Sequence, residues 1–457
     1  MANNGKKLGL MNLVGLGVGS AIGTGIFIML GYGIAYTGRS ITLVCGVGCI
    51  FMLLAFWYAE AFGSLFVLKG GEYGARSMVF PPLLAGVSAW FQILSCFVLA
   101  GHSKAIVQFA ARAWPAIGQH ETLAAIIVLT LGFLCSIKGN NLLAKIQNLV
   151  VVALFAAIAL FVFFGVPKVN PAVFFSNQGE PFFMDGGKGF ISAIAIMSFA
   201  CMGTSAAISL GPDTKNPKRT IPMAAFVTTL VVAAVYFIMA YVAAGILPYE
   251  QIAGQNISVT AEVIMPQWAY MFFIVGGGIF AIGSTMLSCI AVFVNPILSV
   301  SEDGWIPKAF TKTTKGGLPY VALLTLYIVS MIPLVTGLDI EGIVGNIMVP
   351  TMIMNAFINF YCLKLPKQFP AQWEKRGIRF PLWLWNTLSV LGGVFAVVVI
   401  YNTYINLDTK AKILCIIEVV LSFVASYITL KKGWVSKKQL NESRERAIRE
   451  AISGEDA

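Results

Sequence analysis

Long apolar stretches separated by short polar connectors run along almost the whole chain. A helix that crosses a bilayer needs about 20 mostly apolar residues. That ruler places spans near 10–35, 40–67, 82–111, 122–138, 145–167 and 188–210, then near 221–247, 267–298, 319–337, 341–363, 381–405 and 412–430. An even number of spans leaves both chain ends on one side of the membrane. After Lys431 the pattern turns polar, and QLNESRERAIREAIS reads as a short helix in a solvated tail. The expected organisation is a terminal segment 1–9, a core of ten spans 10–365, two further spans within 366–430 and a tail 431–457.

Charge placement supports that topology. Lys and Arg favour cytoplasmic loops. With the N-terminus inside, Lys6, Lys7, Lys69, Arg76, Lys138, Lys145, Lys215, Lys218 and Arg219 fall on the cytoplasmic side, as do the basic loops 308–315 and 364–379 and the tail. Arg39, Arg112, Lys168, Lys188, Lys410 and Lys412 fall outside, and Lys104 lies within a span. A model with a wrong span would scramble this asymmetry. The expectation is a multi-pass cell-membrane protein, plasma or inner, with both termini cytoplasmic.

Composition excludes several classes. The 457 residues are 58% hydrophobic and 11% charged, against roughly 25% charged in soluble domains. The net charge of +11 is spread over connectors and makes no single basic face, so no nucleic-acid partner is expected. The eight cysteines form no CxxC pair, so neither a metal site nor a disulfide framework is expected. Paired acids or a nucleophile with a base would be needed for catalysis, and the two histidines, His102 and His120, stand on a helix and in a loop. No enzyme and no cofactor is expected, and with no small-residue cleavage site after Lys7 no leader is expected either.

The first span reads LVGLGVGSAIGTGIFIMLGYGI, with Gly15, Gly17, Gly19, Gly23 and Gly25 crowded around Ser20 and Thr24. Gly costs about 1 kcal/mol relative to Ala inside a helix, which poises this segment to unwind between Ser20 and Gly25. The sixth span has a milder version at Ala200 to Ser205, around Gly203. Unwound main chain cannot be satisfied by hydrocarbon, so such breaks line a cavity or grip a ligand. An amino acid suits them, with its carboxylate at a half-helix N-terminus and its ammonium at freed carbonyls. Two breaks opening two sets of five helices are what an inverted repeat produces. The competing reading is that these glycines only let helices pack closely.

At GSAIGTGIF, Gly19 to Phe27, the chain resembles the amino acid–polyamine–organocation permeases. YAEAFGSLFVLKGGEYG, GPDTKNPKRTIP and EDGWIPKAFTKTTKGGLPY agree with that family in order and spacing. The resemblance covers roughly residues 10–365. It implies an all-α membrane fold of the LeuT type, about twelve helices with a 5+5 inverted repeat and discontinuous first and sixth helices. It also implies that Ser20, Ala21, Gly23, Thr24, Gly25, Phe199, Ala200, Met202, Gly203 and Ser205 contact substrate. Thr24 and the Gly25 amide would hold the carboxylate, carbonyls near Ala21, Phe199, Ala200 and Met202 the ammonium, and Phe199 would gate the site. Ser284 and Thr285 match hydroxyl ligands of a sodium ion in sodium-driven members.

The departures narrow the mechanism. Ser205 stands where many members carry a carboxylate, Leu154 where many carry a fifth-helix Lys, and Asn295-Pro296 and Glu302 where arginines are usual. Substrate-for-substrate antiport of a neutral or small amino acid is the reading that survives. An amine, polyamine or cationic amino-acid antiporter and a proton- or sodium-coupled symporter are the alternatives. Lys104 is read three ways: it holds an acidic side chain, repels cationic substrates, or reaches outward to the interface. Tyr236 either adds a hydrogen bond in the pathway or packs in the core. Glu60 is expected to make a structural contact. The loop RAWPAIGQHET has no Cys, so no disulfide-linked heavy subunit is expected; the oligomeric state is left open.

Overall fold

The computed structural model describes residues 7–23, 25–68, 71–137, 140–177, 179–314 and 318–453, with the main chain alone at 140–149, 204–206, 209, 291, 292, 295 and 437. Thr24 and the side chains of Ser205 and Asn295 therefore lie outside the described residues. The described elements are helical apart from an isolated bridge between Leu8 and Thr214.

The first apolar stretch forms α1 (Leu10–Ala21) and, after a π-helical turn Gly25–Met29, α2 (Leu30–Thr37). The second forms α3 (Ile41–Ala55) and α4 (Trp57–Leu65), followed by the connecting helix α5 (Gly71–Val79). The third divides into α6 (Pro82–Leu94) and α7 (Phe97–Ala113), and the fourth and fifth are α8 (Glu121–Ile137) and α9 (Asn140–Gly165). The sixth begins as α10 (Gly186–Cys201) and runs on as a 3₁₀ helix, Met202–Asp213. The seventh is α11 (Pro217–Ile246), and the eighth is α12 (Gln267–Phe272), a π segment Phe273–Phe280 and α13 (Ala281–Glu302). Then come α14 (Tyr320–Val335), α15 (Ile340–Tyr361), α16 (Leu382–Asn406), α17 (Thr409–Lys431) and the tail helix α18 (Lys437–Ser453). The apolar lengths are sufficient for a multi-pass membrane protein.

Interruptions in these spans are satisfied by neighbours, as they must be away from water. The kink at Phe56 between α3 and α4 frees an amide and a carbonyl. Asn359 of α15 takes both, accepting from Tyr58 N at 2.9 Å and donating to Ala55 O at 2.8 Å. Asn359 is fully buried, so one side chain replaces the missing turn of main-chain bonding.

The tail departs from expectation. It is helical, but one face is docked on the bundle while the other stays exposed. Ser443 donates to the Asp303 carboxylate, Arg444 donates to Phe80 O, and Gln439 Nε2 reaches Asp303 O at 3.4 Å. Tyr73 of α5 donates to the other Asp303 oxygen at 2.7 Å. Val67 N donates to Ala451 O at 3.1 Å, and Ala451 and Val435 are buried. The sequence pattern showed charges on α18 but not that an acid 140 residues earlier in the chain would receive them. Leu8 bonds both Asp213 and Lys215 through its main chain, so the N-terminal segment is also tied down beside an inter-span loop.

A hydrogen bond to a charged group contributes about 1.5–3 kcal/mol, so removing Asp303 shifts α18 toward the released state. Asp303→Ala is expected to speed tryptic removal of the tail at Arg444 to Arg449 at least about tenfold, with the helical core still intact on a gel. An unchanged cleavage rate contradicts the docked arrangement.

Candidate functional site

The break in the first span lies midway along it. Ile22 is extended (φ −82°, ψ 105°) and its N–H still closes on Val18 O. Regular bonding resumes when Phe27 N reaches Gly23 O at 3.3 Å, and the next turn is π-wound. Such turns recur at functional sites. In the sixth span the discontinuity takes a different form. The chain stays in the right-handed helical region at Met202, tightens to 3₁₀ winding and leaves helical geometry only at Leu210. The break region here, Ala200 to Ser205, holds the single Gly203, against five glycines within 15–25 of the first span, which accounts for the milder change. A 3₁₀ run this long is unusual, since stretches beyond three or four residues are uncommon.

The two interrupted segments meet at main-chain contact. A Cβ on Gly203 would lie 2.5 Å from Ala21 N and 2.6 Å from Ser20 C, and one on Gly25 would strike the Ala200 backbone. Both expectations for the glycines thus hold together: the first span breaks, and the glycines permit close crossing. A Cβ on Gly23 would lie 3.2 Å from Thr285 Oγ1, so the eighth span walls the break on another side.

Tyr236 of α11 ties the crossing. Its hydroxyl lies 2.6 Å from Ala21 O and 2.9 Å from Ala200 O, and the ring is fully buried. One phenolic proton is shared between a carbonyl freed by each interruption. These are two of the carbonyls the family resemblance assigned to the substrate ammonium. Beside them Cys201 Sγ touches Cys49 Sγ at 3.0 Å. Neither Tyr236 as a bridge nor this thiol pair was readable from spacing, because Tyr236 to Ala21 and Cys49 to Cys201 are contacts across more than 150 residues of chain.

The remaining expected residues divide. Ala21, Gly23, Gly25 and Ala200 are buried at the crossing, and Phe199, Met202 and Gly203 are half-buried there. Ser20 is exposed and its hydroxyl donates to Leu16 O at 2.8 Å within its own helix. Ser284 and Thr285 are half-buried, with Thr285 donating to Ala281 O at 3.0 Å. Leu154 is buried. Lys104 is elsewhere: it is buried, and its ammonium donates to Leu338 O at 2.5 Å in the turn between α14 and α15. The partner is a main-chain carbonyl and not an acidic side chain. Glu60 is buried, and neither carboxylate oxygen has a hydrogen-bond partner among the described residues.

The two halves of the first span have different surroundings. Asn12, Gly15, Leu16 and Ser20 share an exposed face of α1, whereas residues 25–31 are all buried. On the α2 side Gly254 N bonds Gly31 O at 2.9 Å and Ile257 N bonds Phe27 O at 3.2 Å. Phe27 packs edge-on to Phe109 (5.7 Å, 81°) and against Phe273, on which Phe161 stacks at 5.3 Å. Tyr249 donates to Ala35 O at 2.6 Å. The end of the bundle away from the docked tail is closed by main-chain bonds and aromatic packing.

Residues 8–423 match the family model for amino acid permeases. A branched-chain amino acid permease of Bacillus subtilis is 27% identical over 345 residues, 69% of this chain and 72% of the relative. A methylthioribose transporter of the same organism is 28% identical, covering 67% of this chain and 69% of the relative. A chloroplastic cationic amino acid transporter of Arabidopsis thaliana is 21% identical, covering 67% and 57%. With a family match over most of its length, an all-helical fold and a first span broken where the glycines predict, the chain belongs to the amino acid permeases, membrane transporters of the amino acid–polyamine–organocation superfamily.

Proposed function

We propose that this permease exchanges one amino acid for another by alternating access, with neutral or small side chains favoured. The observation that carries the reading is the crossing of two interrupted spans, where freed main-chain groups sit away from water around Tyr236. N–H groups from Gly25 onward, at the start of the outer half-helix, suit a carboxylate. With Ala21 O and Ala200 O already bonded to Tyr236, the ammonium falls to carbonyls near Phe199. Ser20, Gly23, Thr24, Met202, Gly203 and Ser205 complete the proposed lining, and the Phe199 ring covers it.

The exposed face of α1 and the burial of 25–31 support a state open toward the end that carries the docked tail and sealed at the other. That end is assigned to the cytoplasm on the Lys and Arg asymmetry. The branched-chain permease among the relatives supports an uncharged side chain. A cationic substrate is less well served, because neither interrupted segment, 10–37 or 186–212, contains Asp or Glu.

Proteoliposomes preloaded with unlabelled amino acid are expected to take up label several-fold faster than empty ones, across a panel that includes the twenty amino acids, common amines and methylthioribose. No preloading-dependent uptake of any compound contradicts the exchange reading. Tyr236→Phe leaves two buried carbonyls without a donor, at a cost of about 1–3 kcal/mol. Uptake is expected to fall at least about tenfold while the detergent-solubilised protein stays monodisperse; wild-type uptake would remove Tyr236 from the account.

A further inference from the structure

A second polar site lies at the sealed end, away from the crossing. Tyr36, at the end of α2, donates its hydroxyl to Glu341 in the first turn of α15. Ser192 of α10 and Asn402, Thr403 and Asn406 of α16 join them around a small cleft. Thr403 is 5% exposed and its Oγ1 has no partner. The amide nitrogens of Asn402 and Asn406 donate to Val398 O at 2.9 Å and Asn402 O at 2.8 Å, which leaves both side-chain oxygens as acceptors. The second carboxylate oxygen of Glu341 has no hydrogen-bond partner among the described residues.

Every ligand offered is an oxygen: a carboxylate, hydroxyls and amide carbonyls. Hard oxygen donors suit hard cations. A single carboxylate matches a single positive charge. The cavity of about 10 Å³ has room for one water-sized occupant. No described cation lies within 4 Å of Glu341. The charged and titratable groups around it are Tyr32 and Tyr36 of the first span, Asp339 capping α15 and Asp408 capping α17. Of the lysines at this end, Lys104 and Lys412 are engaged by Leu338 O and Ile405 O at 2.5 and 2.9 Å and Lys168 by Ile264 O at 2.9 Å, while Lys188 and Lys410 are exposed. A half-buried carboxylate with acidic neighbours and no cation is costly in a membrane protein, which makes it a functional candidate.

We propose that this cleft binds one monovalent cation, either a sodium ion or a proton carried on Glu341. Its ligands come from α2, α10, α15 and α16, so occupancy stabilises the arrangement in which these helices are together. The outer half of the first span is thereby held against the tenth and eleventh spans. This site is separate from the crossing and stands or falls apart from the exchange reading.

The test is thermal unfolding of the purified full-length protein in detergent, with sodium chloride exchanged for choline chloride at constant ionic strength and with pH varied from about 5.5 to 8. Wild type is expected to gain at least a few degrees in midpoint with sodium over choline, or on acidification beyond the change seen in Glu341→Gln. The first result names sodium as the occupant and the second the proton. Thr403→Val keeps the carboxylate and is expected to weaken the sodium response several-fold. The proposal is overturned by a wild-type midpoint indifferent to sodium whose pH response equals that of Glu341→Gln, or by a sodium shift that persists in Glu341→Gln. The shift produced by substrate is measured on the same samples; its absence in wild type would count against the crossing as substrate site and leave the cation result to be read independently.

Discussion

Hydrocarbon supplies no hydrogen bonds, so each main-chain group freed inside a membrane span must find a partner within the protein. The crossing of the first and sixth spans is where this protein meets that requirement most sharply. Ile22 leaves helical geometry, and Tyr236 reaches from the seventh span to a carbonyl on each side. The arrangement depends on Gly203 and Gly25 lacking side chains, because the two backbones approach to contact. A carbonyl held by one phenol, and amides aimed along an interrupted helix, make a polar centre in apolar surroundings at little folding cost. Such a centre is suited to a small zwitterion.

The two ends of the bundle are built differently around that centre. At the far end the α2 half of the first span is locked by carbonyls accepting from Gly254 and Ile257, by the Phe27 cluster and by the Tyr36–Glu341 contact. At the tail end the α1 half has an exposed face, while Asp303 joins α5, the loop after the eighth span and α18. One end is closed by permanent-looking packing and main-chain bonds. The other is bordered by a charged latch whose contacts are few and partly exposed. The proposed alternating access would exchange these conditions through the polar contacts at Glu341 and Asp303.

Much of the fold was legible in the sequence, because a lipid-facing helix must be apolar over a fixed length. The spans expected at 122–138 and 381–405 appear as Glu121–Ile137 and Leu382–Asn406. The break at Ser20 to Gly25 was legible because glycine is the one residue that both loosens a helix and allows backbones to touch. What could not be read were contacts across long separations. Tyr236 was open to a pathway hydrogen bond or core packing, but its two carbonyl partners were not readable, and Lys104 gave no sign that its partner was a carbonyl 234 residues away. The tail was read as solvated because its helix is charged, yet Asp303 was waiting at the end of the eighth span. Glu341 carried a usable signal that was not taken up: it is an acid in the first turn of an apolar span, two residues after the capping Asp339.

The central claim is that substrate occupies the space beside the broken first span. Ser20 is exposed on the inner half-helix next to that break, and Cys135 is an exposed thiol that would mask the readout unless replaced. The direct measurement is the labelling rate of Ser20→Cys, in a Cys135→Ser background, by a membrane-impermeant thiol reagent applied from the tail side. Saturating transported amino acid is expected to slow labelling several-fold, with a non-transported analogue having no effect. Labelling that proceeds at the same rate with and without a transported substrate would contradict the account.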